Sequence, residues 1–240
     1  MIEIFILSLI QGVTEFLPIS SSSHLILVSE YFEFENKSLS IDVSLHIGSF
    51  AAVLVYFKND ILNFYENKFL FFKILIASLP VMIVGYILAE TGYIDKIRSI
   101  KIIAWTTIIF GLLLYISDRF KLEKKIENNL NFKSIIFIGI FQIFSLIPGV
   151  SRSGIAITAA RLLKFKRVDA AKISFLLSIP ILGAVSIFGV KNIIFSQNYN
   201  FTKTNLLAIL LAFIFSYITI KYFLKFIKRF NLSFFVIYRI

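Results

Sequence analysis

The chain contains no cysteine. Disulfides, thiol catalysis and cysteine-held metal sites are therefore excluded. No basic region precedes the apolar run that begins at Ile2, so no removable signal peptide is expected there. Acidic residues are scarce, with 14 Asp and Glu against 25 Lys and Arg and a formal charge of +11. This excess does not signal nucleic-acid binding. The cations gather in the loops between apolar runs, where the positive-inside tendency of membrane proteins accounts for them. What the chain has in quantity is apolar surface: 58% hydrophobic residues, 28 Phe and a mean hydropathy of +0.86. Soluble domains lie nearer 45–50% apolar. An excess of this size, carried in long runs, indicates an integral membrane protein. At about 20 residues per span, about seven or eight segments fill the chain and leave little room for a soluble domain. A single membrane domain, 1–240, is expected.

Uninterrupted apolar runs cover Ile41–Phe57, Phe69–Ala89, Ile100–Ser117, Ile173–Val190 and Leu206–Phe223. A last run, Leu232–Ile240, is too short to span about 30 Å of hydrocarbon. It reads either as a short last helix or as a truncated one. Two further regions are apolar but broken. In the first, Ile2–Leu17 meets Pro18 and four serines, Ser20–Ser23, before His24–Phe34. In the second, Ile135–Ile147 meets Pro148-Gly149 before Ser153–Leu163. Proline ends a helix, and glycine and serine suit a turn. Both regions read as re-entrant helix–loop–helix hairpins, whose irregular backbone must be covered by protein or water.

Loop charges orient these segments. The acidic stretch Phe32–Asp42, with Glu33, Glu35 and Asp42 against Lys37, is placed outside. The stretch Asp118–Lys133, the cations Arg161, Lys164, Lys166, Arg167 and Lys172, and the cations Lys221, Lys225, Lys228 and Arg229 are placed inside. Lys191–Lys203 is nearly neutral and goes outside, whereas Glu90–Lys101 is mixed and decides nothing. The first hairpin then has both ends outside and the second both ends inside. The expected fold is an all-α polytopic membrane protein with an inverted-topology repeat. Each half is a re-entrant hairpin plus about three transmembrane helices, the last truncated. The first repeat covers about 1–117 and the second about 134–240. Gln11 precedes Ser20 by nine residues with Pro18 between, and Gln142 precedes Ser151 by nine with Pro148 between. In such folds broken helices meet near the midplane and form the site there.

The broken segments also carry the polar residues. Gln11 and Glu15 are four apart and share a helix face. A carboxylate at membrane depth is costly, and its natural uses are holding a divalent cation, accepting a proton or pairing with a cation. Ser20–Ser23 offer hydroxyls and backbone N–H groups at a helix start, suited to an anion or to capping. His24 follows at helical spacing and is a candidate acid or base. In the second hairpin, Ser151, Arg152 and Ser153 surround a guanidinium whose planar fork of donors suits phosphate oxygens. Gly149 and Gly154 are expected to let backbone approach a bulky anion. His46 has no polar neighbour in sequence and reads as structural. Arg161 and the lysines after it read as topology signals or lipid-headgroup contacts.

The stretch Gln11-Gly12-Val13-Thr14-Glu15-Phe16-Leu17-Pro18-Ile19-Ser20-Ser21, followed by His24, resembles the first signature of the bacitracin-resistance type undecaprenyl-diphosphatases. Pro148-Gly149-Val150-Ser151-Arg152-Ser153 is similar to the second. Ile41–Val53 and Ser174–Ala184 also resemble the family, and the likeness runs over essentially the whole chain. It implies a multi-pass enzyme of the bacterial inner membrane that hydrolyses undecaprenyl diphosphate to undecaprenyl phosphate and phosphate, recycling the lipid carrier of cell-wall synthesis. It implies divalent metal, magnesium or calcium, for which Glu15 and Gln11 are the candidate ligands. It also implies Glu15 as the essential acid, Ser21 as nucleophile, Ser20 and His24 as active-site residues and Arg152 as the diphosphate-binding residue. Three departures stand out: Ser23 where glycine is usual, Ala156 where threonine is frequent, and the short C-terminal run.

The expected chemistry follows. Arg152, Ser151, Ser153 and backbone N–H groups hold the diphosphate, Ser21 attacks the terminal phosphorus and His24 assists proton transfer. Attack by water or by His24 is the alternative left open. The expected partners are undecaprenyl diphosphate and membrane lipid, with no nucleic acid, and a homodimer is compatible with this reading. The rival class is a polyprenyl-phosphate transporter, because inverted repeats with broken helices are also a transporter pattern.

Overall fold

A computed structural model describes residues 1–32, 34, 38–63, 68–93, 97–195 and 202–240. Among the described residues the chain is helical, with one isolated bridge between Lys124 and Phe165. The helices are α1 (Ile2–Thr14), α2 (Ser21–Tyr31), α3 (Leu39–Tyr56), α4 (Lys58–Leu62), α5 (Lys68–Glu90), α6 (Ile100–Asp118), α7 (Ile126–Asn129), α8 (Phe132–Gln142), α9 (Arg152–Leu162), α10 (Arg167–Phe195), α11 (Lys203–Ile227) and α12 (Ser233–Arg239). A single 3₁₀ turn, Ile143–Leu146, extends α8. Of the loop-charge expectations, Glu33, Glu35, Lys37 and the stretches 94–96 and 196–201 lie outside the described residues.

Five helices, α3, α5, α6, α10 and α11, are long and apolar enough to cross a membrane. They start and end where polar residues interrupt the hydrophobic runs. Ser38 caps α3 by accepting from Ile41 N at 3.3 Å, and Ser99 caps α6 by accepting from Ile102 N at 3.3 Å. Such caps occupy N–H groups that a helix start leaves without partners. α10 and α11 extend past the apolar runs at both ends, because the flanking polar residues continue the helix after hydropathy has fallen.

Burial identifies the solvent. Only 22% of the apolar window of α5, and the same share of α6, is buried inside the chain. Ile83, Ile87, Ile109, Leu112 and Ile116 stand exposed along these two helices. Soluble monomers rarely carry apolar patches of such extent. Hydrocarbon covers such faces at no cost, so this is a membrane protein. The buried interior is formed where α3 packs on α10 and α11, α1 on α11, α5 on α8, and α9 on α6, α8 and α10. The close approach of α3 to α11 depends on Gly48, where a Cβ would meet the carbonyl of Ile209 and lie 2.8 Å from Ala212 Cβ.

The last apolar run forms the seven-residue helix α12, which packs on α6 and buries Phe235 and Val236. Arg161 corrects the sequence reading. It is no surface topology signal: it is fully buried and donates from Nε to Asp118 Oδ1 at 3.2 Å. Its other nitrogens meet the carbonyls of Phe165, Asp118 and Phe120. Asp118 also accepts from Arg167 Nε at 2.7 Å and Leu232 N at 3.0 Å. One carboxylate thus ties the ends of α6 and α9 to the starts of α10 and α12.

Candidate active site

The site is built at the two breaks expected from proline. α1 ends at Thr14, whose hydroxyl turns back onto Ile10 O at 2.6 Å. The chain turns through Pro18 and reaches Ser20 with φ +72°, and α2 begins at the next residue. After α8 and its 3₁₀ extension the chain turns through Pro148 and Gly149 (φ +94°). It reaches Ser151, also with φ +72°, and α9 begins at the next residue. Both breaks therefore place a non-glycine residue in left-handed backbone immediately before an 11-residue helix. Such a conformation costs about 1–3 kcal/mol per residue and persists only where surrounding contacts determine it.

The helices that follow bring together residues far apart in sequence. Arg152 Nη2 donates to Glu15 Oε1 at 2.7 Å across an interval of 137 residues. Its Nη1 donates to Ser174 O of α10 at 3.2 Å, and its guanidinium lies 5.9 Å from the Phe16 ring centre. The second oxygen of Glu15 accepts from Ser21 Oγ at 2.7 Å and from Gln11 Nε2 at 3.1 Å. Glu15 is 7% exposed and Gln11 is fully buried. The carboxylate and guanidinium neutralise one another, and removing either partner would strand the other charge in a medium that solvates it poorly.

The remaining expected residues divide into two groups. His24 is close in sequence to Ser21 but is not bonded to it. Its Nδ1 donates to the backbone carbonyl of Ser20 at 2.6 Å, which makes Nε2 the basic nitrogen of the neutral ring. Nε2 accepts from Tyr238 Oη at 2.8 Å. Ser20 Oγ shares hydrogen bonds with Ser22 and Ser23. In the second hairpin, Ser151 Oγ caps α9 by accepting from Gly154 N at 3.1 Å. Ser153 Oγ donates to Leu17 O at 2.7 Å and so joins the two hairpins. Gly149 corrects the expectation of space for an anion. A Cβ there would fall on Thr106 Oγ1 and within 2.8 Å of Ile103 O, so the missing side chain admits α6 and not a ligand. Gly154 similarly faces Ser151 Cβ and Arg239.

Three residues of this junction were not found from sequence. His46, read as structural, has polar company: its Nδ1 lies 3.1 Å from Gln11 Nε2. The Glu15 carboxylate orients the Gln11 amide with nitrogen toward itself, so Nδ1 of His46 is the acceptor and Nε2 carries the proton. Arg239, in the run judged too short to span, is 5% exposed and reaches both turns. Tyr238 beside it stacks on His24, with ring centres 5.7 Å apart and planes 11° apart. The signal for Arg239 was the one that singled out Arg152, a cation within apolar surroundings.

Among the described residues, no three His, Cys, Asp or Glu side chains gather as a metal cluster. Gln11 Oε1 is a buried oxygen with no hydrogen-bond partner, on the amide whose nitrogen faces Glu15, so rotation of that amide would turn this oxygen toward the carboxylate. One carboxylate and one amide oxygen form a sparse set of hard donors. That set fits a magnesium ion, which takes one or two carboxylates and completes its shell with water and substrate phosphate.

A family model described as bacitracin resistance protein BacA matches residues 4–240. The undecaprenyl-diphosphatase of Pelagibacter ubique (strain HTCC1062) is 52% identical over all of this chain and 93% of its own length. The protein of the same name from Saccharophagus degradans is 42% identical over 98% of this chain and 92% of its own. That of Jannaschia sp. (strain CCS1) is 36% identical over 99% and 94% respectively. With a family model covering nearly its whole length and relatives this similar end to end, the chain belongs to the bacitracin resistance protein BacA family.

Proposed function

We propose that this protein hydrolyses undecaprenyl diphosphate to undecaprenyl phosphate and phosphate at the junction of its two broken-helix hairpins. The observation that carries this reading is the Arg152–Glu15–Ser21 network. In it the Arg152 guanidinium and the Ser21 hydroxyl each donate to one oxygen of the Glu15 carboxylate, which supports reading them as anion-binding fork, nucleophile and base. The names of the relatives support the substrate.

The incoming diphosphate competes with Glu15 for Arg152, and the guanidinium exchanges a carboxylate for phosphate oxygens. Glu15 is then released to take the Ser21 proton across the 2.7 Å hydrogen bond. Ser21 Oγ forms a bond to the terminal phosphorus. The bridging P–O bond breaks, and undecaprenyl phosphate leaves with the electron pair. Water then attacks the phosphorus and gives its proton to His24 Nε2; the Ser21 Oγ–P bond breaks with the electron pair going to Oγ, which takes back the proton held by Glu15, and phosphate departs. This assigns the first proton to Glu15, where spacing alone suggested His24. Glu15 and Gln11 Oε1 would hold a magnesium or calcium ion, which neutralises phosphate charge when bound. Phosphoryl transfer depends chiefly on positioning and electrostatic stabilisation, which these residues provide.

The proposed setting is the bacterial inner membrane, which the chain crosses several times as an inverted-topology repeat. Matching left-handed serines before helices of equal length support the repeat, as does the equal interval from Gln11 to Gln142 and from Ser20 to Ser151. The test is phosphate release from undecaprenyl diphosphate by purified protein, with acid-quench capture of the phosphorylated enzyme. Phosphate release and a label on Ser21 are expected. A label elsewhere would overturn the serine step, and lipid movement without phosphate release would favour a transporter.

A further inference from the structure

Both hairpin turns hold a serine in left-handed backbone, and both turns point carbonyls at one guanidinium. Arg239 Nη1 donates to Pro18 O at 3.2 Å in the first turn. Its Nη2 donates to Gly149 O at 2.8 Å and Val150 O at 3.2 Å in the second. Its Nε donates to Thr107 O of α6 at 3.3 Å. Among the described residues every hydrogen-bond partner of Arg239 is thus a backbone carbonyl, and these come from three separate segments. The carbonyls of Pro18 and Val150 lie just ahead of Ser20 and Ser151, the strained positions from which Ser21 and Arg152 follow.

We propose that Arg239 is a positioning residue of the hydrolytic reaction, clamping the two turns so that Ser21 and Arg152 stay in register. The proposal rests on the hydrolytic function argued above. Arg239 touches neither Ser21, Glu15 nor Arg152 and acts through the backbone. A planar fork can meet these four carbonyls at once, whereas an ammonium on a flexible stem cannot hold the same directions. The preceding residue, Tyr238, reaches His24 Nε2, so one turn of α12 governs both the clamp and the histidine.

The test compares Arg239→Ala, Arg239→Lys and wild type in detergent, following phosphate release from undecaprenyl diphosphate and melting of the folded protein. Displacing reacting groups by about 1 Å costs roughly 100-fold in rate, so Arg239→Ala should lose kcat on that order with little change in KM. Arg239→Lys keeps the charge and should remain close to the alanine variant. Wild-type kcat in Arg239→Ala, or full activity in Arg239→Lys, would overturn the clamp. A lowered melting temperature with unchanged kcat per folded molecule would also overturn it. If Arg239→Ala does not fold, the lysine variant alone decides. Failure of wild type itself to release phosphate would instead refute the hydrolytic reading.

Discussion

Arg152→Lys is the substitution that separates charge from geometry at this junction. The native side chain makes two directed hydrogen bonds, to Glu15 Oε1 at 2.7 Å and to Ser174 O at 3.2 Å. In the proposed mechanism the second holds the guanidinium plane while substrate replaces the first. A lysine ammonium keeps the charge but has no rigid fork, so it satisfies one direction at the expense of the other. Loss of one hydrogen bond made by a charged group costs about 1.5–3 kcal/mol. At 1.36 kcal/mol per tenfold, kcat/KM for phosphate release should fall by about 10- to 200-fold. Thermal melting should fall far less than in Arg152→Ala, which leaves the buried Glu15 without its cation. The assay is steady-state phosphate release in detergent micelles, normalised to protein that is monodisperse by gel filtration. Activity of the lysine variant within twofold of wild type would show that charge alone suffices and would refute the argument from the fork.

Asp118→Ala should leave Arg161 buried without its carboxylate and release the starts of α10 and α12; a loss of about 3–5 kcal/mol is expected in denaturation of the purified protein. Gly149→Ala combines a positive φ with a Cβ placed against Thr106 and Ile103 of α6, and should accumulate little folded protein on expression. Chelation with EDTA should abolish phosphate release and magnesium should restore it, while Glu15→Gln should weaken magnesium binding measured directly by calorimetry.

The spans were legible because hydrocarbon demands long apolar runs, and α3, α5 and α6 begin and end within two residues of those runs. The hairpin breaks were legible because proline and serine have local conformational effects. Arg152 and Glu15 could be matched because each is expensive within an apolar stretch. Arg161 could not be placed, since a cation near the end of an apolar helix has the same sequence whether it faces headgroups or is buried on Asp118. His46 depended on a partner 35 residues away in another helix. Arg239 depended on carbonyls as far as 221 residues away, and carbonyls leave no mark in a sequence. Gly149 was assigned to a ligand because glycine reports only that something comes close, not what.

The two hairpins share a positive-φ serine ahead of an 11-residue helix, but not their contents. The interval that takes Gln11 to Gln142 takes Glu15 to Leu146, Ser21 to Arg152 and His24 to Ile155. In the proposed mechanism the acid, the nucleophile and the imidazole belong to one arm, and the guanidinium that takes the phosphate belongs to the other. A symmetrised chain with two copies of either arm would keep the frame and lose the reaction. The same division makes the exposed residues 119–123 that follow α6 a natural place to sever the molecule: each fragment would hold one part of the proposed chemistry, and turnover would report their reassembly.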